Sequence, residues 1–558
     1  MRVKLISLIY ILIAPVFLII IKYLFENQRA SLLTLEFIFI FLIINLLFKK
    51  QKKDKYITNP IDKRFISIFF YIYLFIITII SQNYLLNFEI IDWDIPSYIV
   101  ASNQLSDGFL PYEELWESKG PMLLYMYHFV LNFVSGNYIT FKIANDVLLF
   151  LIAVIFYKTS LINSKNNYFK SVVATTVLIL LMSQPWALSG YSELYALVFL
   201  SLALFLYKKL HFRQRHFFTG FFLSLATLVN QGTILFLFPF LLNFFIKKEY
   251  FGRQLKLFIG FSLPHIFFLI IYYLNDLLDV YIATMITIPL GYSSANYVNI
   301  NEVMVFFRSF LEFNLGMYFL LLLIFLVMFK NTFFSKESLI DSIKSIEVQL
   351  LVFSFLFYFI AAHNYYHHLI FFVYFISLYV SIIKVDFNFL TLSSFAFLTL
   401  IILLYSKGGT SIHNLQNIDS LYDSYPIRQL AREVEDLEIR DIEILALDYN
   451  LILHYLEEPN YSYIVHGTNF LEGYILSSLE DIGLIKKDYL NYLKDSKPKI
   501  IICSENMIVR GEIINQYVFP CNQDHLLDYY QINTDNYFTE NLNYYRDPYK
   551  EIKLFIKR

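Results

Sequence analysis

Long unbroken apolar runs, separated by short polar loops, restrict this chain more than any other feature of its sequence. The runs are Leu5–Phe25, Leu32–Phe48, Phe65–Ile80, Tyr138–Tyr157, Ser171–Met182, Leu194–Tyr207, Phe217–Val229, Thr233–Ile246, Leu255–Leu274, Leu315–Phe329, Val348–Ala361, Leu369–Ile383 and Phe387–Tyr405. Most measure roughly 15–22 residues, close to the roughly 20 that cross a hydrocarbon core as helix. Lipid offers backbone polar groups no partner, so each run must satisfy its own as a helix. The expectation is an all-α polytopic membrane domain of about thirteen spans. At 57% hydrophobic and 16% charged, the chain lies outside the roughly 45–50% apolar and roughly 25% charged of soluble domains. A net charge of −2, with no basic block and no zinc-finger spacing, argues against nucleic acid as a partner.

Charge sets the orientation. Lys49–Arg64, Lys158–Lys170, Lys208–Arg215, Lys247–Arg253 and Lys330–Lys344 are basic loops, and the loops between them nearly lack Lys and Arg. Basic loops stay cytoplasmic. The N-terminus is therefore expected inside, with Leu5–Phe25 as a retained anchor, too long for a signal core and without a small-residue cleavage site. Met122–Val134 is apolar but short. Counting it as a span would invert every later loop, so it is expected to lie in the outer interface. Trp93, Trp116 and Trp186 fall in outer loops, where indole favours headgroup depth.

Three parts follow: residues 1–64, a hairpin and basic loop; 65–405, a membrane domain whose first outer loop is 81–137; and 406–558, a soluble extracytoplasmic domain. In the last part Ile442–Leu447, Tyr461–Val465 and Lys499–Ile502 read as strands, and Leu451–Glu457 and Lys487–Leu493 as helices. A small α/β domain is expected. Its Cys503 and Cys521, the only cysteines of the chain, can bridge in an oxidising compartment, although spacing alone does not fix the pairing.

The first outer loop holds the chemistry-bearing residues. Asp92-Trp93-Asp94-Ile95-Pro96-Ser97-Tyr98 leads to Pro111-Tyr112 and then Glu117-Ser118-Lys119-Gly120-Pro121. Ionisable groups held at membrane level are costly and are functional candidates by default. On a short helix Asp94 and Tyr98 share one face.

This arrangement resembles the first outer loop of GT-C glycosyltransferases, the integral-membrane family of the dolichyl-phosphate-mannose–protein mannosyltransferases and the bacterial lipid A aminoarabinose transferase. Weaker matches are Gly190-Tyr191-Ser192-Glu193, the segment Gly220–Gly232, and Tyr365-Tyr366-His367-His368. Two departures stand out: Ile95 replaces a second acid, and Gly120 replaces the first proline of the commoner motif. The N-terminal hairpin is extra. The resemblance implies a GT-C-fold enzyme of the cell envelope in a bacterial inner membrane. It would move a sugar from a polyprenyl-phosphate donor to an extracytoplasmic lipid, glycan or protein acceptor, with inversion.

In that reading Asp94 is the general base, since a carboxylate is ionised at neutral pH. Tyr98, Glu117, Lys119, Glu193, Arg308, His367 and His368 would bind substrate, with Lys119 and Arg308 as the scarce outer cations for phosphate. The sequence fixes no cofactor. A divalent cation stays open, and Asp94 and Glu117 would be its ligands. Each residue has a plainer role. Asp94 could cap a helix, Lys119 could snorkel to lipid, Glu193 could match a helix dipole, and Arg308 could pair with Glu302 or Glu312. The histidines could belong to an aromatic belt, and Asp92, Glu113 and Glu114 could be solvated. The alternatives in function are a transporter or flippase of lipid-linked sugars, which should place its charges at mid-membrane, and a polysaccharide polymerase or ligase, which should carry arginine-rich outer loops.

Overall fold

The computed structural model describes residues 63–188, 190–209, 213–247, 250–294, 344–360, 365–382, 407–439, 442–504, 506–509, 512–515, 526–534 and 552–558. The N-terminal hairpin, Arg308, His363, Cys521 and the runs Leu315–Phe329 and Phe387–Tyr405 lie outside these residues.

Within them the membrane part is helical where hydropathy demands it. The helices are α1 Lys63–Gln82, α2 Asp94–Asn103, α3 Pro121–Phe133, α4 Tyr138–Asn163, α5 Tyr168–Leu181, α6 Ser192–Lys208, α7 Arg215–Val229, α8 Leu237–Lys247, α9 Phe251–Leu274, α10 Ile346–Ile360 and α11 Leu369–Val380. The regions of α1, α4 and α9 are long and apolar enough to cross a membrane, which makes this an integral membrane protein. Caps fix several starts. The Asn137 side chain accepts the Thr140 amide at 3.1 Å, and Asn167 accepts that of Lys170 at 3.0 Å, each satisfying an orphan donor of a first turn.

Helix α9 shows what lipid does to a surface. Leu255, Phe258, Ile259, Leu263, Ile266, Phe267 and Ile270 are all exposed, a stripe that only hydrocarbon would solvate. Its opposite face packs on α7 through glycines. A Cβ on Gly220 would meet the Leu257 carbonyl oxygen at 2.0 Å, and one on Gly260 the Phe217 carbonyl oxygen at 2.0 Å. Close backbone approach at small residues is how helices pack where no hydrophobic drive joins them. Helix α3 coincides with the short apolar segment Met122–Val134 to within a residue, and its Phe129 and Phe133 are exposed.

The C-terminal part has α12 Pro426–Asp436, α13 Leu451–Tyr455, α14 Gly473–Asp481 and α15 Tyr489–Ser496. Its strands are β1 Ile444–Ala446, β2 Ile500–Ser504, β3 Asn506–Val509, β4 Glu512–Asn515, β5 Tyr529–Ile532 and β6 Ile552–Lys557. The sheet order is β1-β2-β6-β5, with β1 and β2 parallel and the other pairs antiparallel, while β3 and β4 form a separate hairpin. Cys503 is disulfide-bonded. One sequence expectation fails: Tyr461–Val465 is no strand. It makes a single parallel bridge, Ile464 to Trp116 in an irregular loop of the membrane domain, and touches the sheet only at its start, where the Tyr461 amide donates to the Ile444 carbonyl at 2.7 Å.

That bridge is part of a broad docking surface. Glu89, in the loop between α1 and α2, accepts the Ile427 amide at 2.7 Å, the Arg428 amide at 3.2 Å and the Tyr455 hydroxyl at 2.9 Å. The amides belong to the second and third residues of α12, whose own cap residue Tyr425 makes no side-chain cap. A carboxylate from one domain thus caps a helix of the other. Beside it Lys142 donates to the Phe88 carbonyl and, at 3.3 Å, to the Tyr425 hydroxyl. The His454 Nε2 contacts the Gly136 carbonyl at 2.9 Å, and Asn450 donates to Ser97 Oγ at 2.8 Å. Both lie just beyond the carboxyl end of β1, where open α/β sheets place their binding loops.

Candidate active site

Asp92 and Asp94 divide the labour at the start of α2. The Asp92 carboxylate accepts the Asp94 amide at 3.0 Å, so Asp92 does the capping and the Asp94 side chain is released for other contacts. Asp94 Oδ2 accepts the Tyr98 hydroxyl at 3.0 Å, one helical turn on, the pairing expected from the spacing. Asp94 Oδ1 faces His466 Nε2 at 3.0 Å. The sequence reading missed this histidine, which comes from the C-terminal domain.

The Asp94 side chain keeps 24% of its exposure, against 9% for His466, so the carboxylate is held but reachable. Burial alone would raise its pKa, but the hydrogen bond from His466, with His367 and the charge of Lys119 behind, holds Asp94 well below the usual carboxylate range. Burial, and then the charge of Asp94, push Asp92 up to about 7, opposed by the Tyr191 hydroxyl. Of the two acids, Asp94 is the one whose surroundings favour the charged form.

Glu117 is buried. Its Oε1 accepts the Ser118 amide at 2.7 Å and the Ser118 hydroxyl at 2.9 Å, while its Oε2 is buried with no hydrogen-bond partner among the described residues. Burial raises its pKa. An orphan acceptor of this kind is costly and marks a place for a donor from a ligand. Lys119 is half-buried, close enough for its charge to bear on Asp94 and the histidines. The loop that carries it is pinned on three sides. The Tyr112 hydroxyl donates to the Lys119 carbonyl, Gln231 donates to the Ser118 carbonyl at 2.8 Å, and the Trp116 indole donates to Thr284 Oγ1 at 2.9 Å. Thr284 sits in a π-helical turn, Ala283–Thr287, a distortion common at functional sites. Trp116 is fully buried, and Trp186 nearly so; Trp116 anchors the loop to the core. At Gly120 a Cβ would lie 2.1 Å from the Leu228 carbonyl oxygen, which accounts for glycine here.

The later motifs converge on the same place. Tyr191 bonds to Asp92 and stacks on His367 with centroids 4.3 Å apart. Glu193 is buried, accepts Asn230 at 3.0 Å and Ser192 at 3.2 Å, and faces His368 Nε2 at 3.7 Å. Asp94, Tyr98, Glu117, Lys119, Glu193, His367 and His368 thus gather at one site; Arg308 lies outside the described residues. Glu113 is exposed and Glu114 half-buried. For a cation, the structure groups Glu193, His367 and His368, each offering one ligand atom within 4.8 Å of the others. Two imidazoles and a carboxylate suit a zinc-like ion.

No family model and no curated protein matches the sequence. The fold is similar to the crystal structure of ArnT from Cupriavidus metallidurans bound to undecaprenyl phosphate, with a TM-score of 0.56 and 10% identity over 78% of this chain and 93% of that one. The apo state of ArnT aligns at a TM-score of 0.41 and 9% identity over 78% and 92% of the two chains. A helical membrane part, a loop between α1 and α3 with its acid, tyrosine and lysine, and a C-terminal module with a small sheet together give this chain an ArnT-like fold.

Proposed function

We propose that the protein transfers a sugar from a polyprenyl-phosphate donor to a hydroxyl acceptor outside the cytoplasm, with inversion at the anomeric carbon. The observation that carries this reading is the partly exposed Asp94 carboxylate, held on one oxygen by Tyr98 and on the other by His466. The acceptor O–H gives its proton to Asp94 as the acceptor oxygen bonds to the anomeric carbon. On the opposite face the bond from that carbon to the phosphate oxygen breaks, and its electron pair leaves on polyprenyl phosphate. The acceptor oxygen becomes strongly acidic only as its new bond forms, so a weak base that is always ionised suffices.

Lys119 is the cation for the departing phosphate, and His367 and His368 supply further donors or acceptors beside it. Glu117 would take a sugar hydroxyl on its orphan oxygen. If a divalent cation is present, Glu193, His367 and His368 would hold it, and it would add positive charge near the phosphate. The bound undecaprenyl phosphate of the structurally similar ArnT supports a prenyl carrier as donor.

The test is transfer from radiolabelled polyprenyl-phosphate sugars in membranes. Asp94→Asn should abolish it while leaving donor binding intact. Transfer by the variant at the wild-type rate would end the assignment, and movement of lipid-linked sugar between leaflets without transfer would make the protein a flippase.

A further inference from the structure

We propose that His466, delivered by the C-terminal domain, is a positioning residue of the catalytic centre, fixing the Asp94 carboxylate through an Nε2–H···Oδ1 hydrogen bond. The inference rests on the glycosyl-transfer reading above. It makes the soluble domain a constituent of the active site rather than an accessory to it.

The tautomer follows from the neighbours. The Thr468 backbone amide points at His466 Nδ1 at 3.2 Å, and the Thr468 hydroxyl lies 2.7 Å from the same nitrogen. An amide N–H only donates, so Nδ1 carries the lone pair and Nε2 carries the proton. That proton points at Asp94 Oδ1 3.0 Å away. Both ring nitrogens are then occupied, and the side chain is 9% exposed. His466 has no lone pair to offer an acceptor hydroxyl, so it orients the base and is not the base.

The backbone that presents it is held by the membrane domain. The Trp116 amide donates to the Tyr463 carbonyl at 2.6 Å, and the Val465 amide returns to the Trp116 carbonyl at 3.2 Å. The Tyr463 hydroxyl donates to the Tyr112 carbonyl at 2.6 Å, and Asn450 bridges Ser97 and the Val465 carbonyl. Trp116 is in turn fastened to Thr284. Residues 463–466 are thereby clasped between the loop carrying Lys119 and the helix carrying Asp94. With Tyr98 on Oδ2 and His466 on Oδ1, each Asp94 oxygen has one donor and keeps one open lone pair. A carboxylate freed to rotate loses near-attack geometry, which is costly even for small displacements.

The test compares full-length wild type, His466→Ala, His466→Gln and Asp94→Asn in proteoliposomes. Glutamine reaches Asp94 with an amide N–H but cannot be the same ring. His466→Ala should lower kcat by about 10–100-fold, the usual loss when the partner that orients a reactive group is removed. The KM for the lipid donor should stay within about threefold, because a positioning residue acts after donor binding. His466→Gln should recover at least about a tenth of the wild-type kcat. Nitrogen-15 NMR of labelled histidines gives a readout independent of turnover: His466 should appear as the Nε2–H tautomer, with its bonded proton shifted upfield in Asp94→Asn. Wild-type kcat in His466→Ala together with an inactive Asp94→Asn would overturn the role of His466 alone. An Asp94→Asn enzyme as fast as wild type would instead overturn the glycosyl-transfer reading. A loss in His466→Ala that glutamine does not relieve, or that appears in KM, would mark His466 as merely structural and overturn the proposal.

Discussion

Replacing Glu89 by alanine should uncouple the C-terminal domain from the membrane domain. In wild type this carboxylate receives two amides of α12 and the Tyr455 hydroxyl at 2.7, 3.2 and 2.9 Å. Above about pH 7, where Glu89 is ionised even when docked, hydrogen bonds to its charged group contribute about 1.5–3 kcal/mol each, and more is lost when buried donors are left unpaired. Taking the low end of that range, to allow for water entering the space vacated, the three bonds give about 4 kcal/mol. Since each 1.4 kcal/mol is tenfold, the opening equilibrium of α12 should rise by roughly a thousandfold. Hydrogen exchange in detergent micelles, read on peptides covering 426–436 and 451–455, measures this directly, with peptides from α4 as an internal reference. Exchange of α12 in Glu89→Ala within about threefold of wild type would refute the idea that a carboxylate of the membrane domain caps this helix.

Burial holds the Glu89 pKa at about 7, above its ordinary 4.5. The docked state therefore keeps a proton that the undocked state releases, so docking is tightest below pH 4.5 and weakens by about 3 kcal/mol as pH rises to about 7. Protease protection of the C-terminal domain should follow that slope, and Glu89→Gln should flatten it. Gly120→Ala must move the loop by more than about 1 Å to clear the Leu228 carbonyl, and transfer should drop by about a hundredfold with the fold retained; unchanged kinetics would mean that the position of Lys119 is not limiting. Trp116→Phe removes the bond to Thr284 and should cost about 1–2 kcal/mol, seen as a lower Tm in micelles. Gly260→Leu should separate α7 from α9 and reduce the yield of folded protein, which size-exclusion chromatography would show.

Hydropathy made most of the membrane part legible. The apolar runs ending at Ile80, Tyr157, Met182, Tyr207, Val229, Leu274 and Ala361 match α1, α4, α5, α6, α7, α9 and α10 to within a few residues, except that α4 runs on to Asn163, because solvent by itself dictates helix there. The Asp94–Tyr98 pair was readable because one helical turn connects them. Glu193 and the histidines were readable only as motif matches, since nothing local shows that they converge. His466 lies 372 positions from Asp94, a distance at which periodicity and spacing say nothing. Tyr461–Val465 alternates like a strand, yet it pairs with Trp116 across a domain boundary, and so composition pointed to the right extended shape and the wrong partner. Trp116 was legible only as an indole in a polar loop; its bond to Thr284, which anchors that loop to the core, was not.

The separation of Asp94 and His466 along the chain also bears on biosynthesis. Ribosomes emit the aspartate early and the imidazole 372 residues later. A half-made chain therefore carries the Asp94 carboxylate without its His466 partner, and the pair is complete only once the C-terminal module has folded and seated.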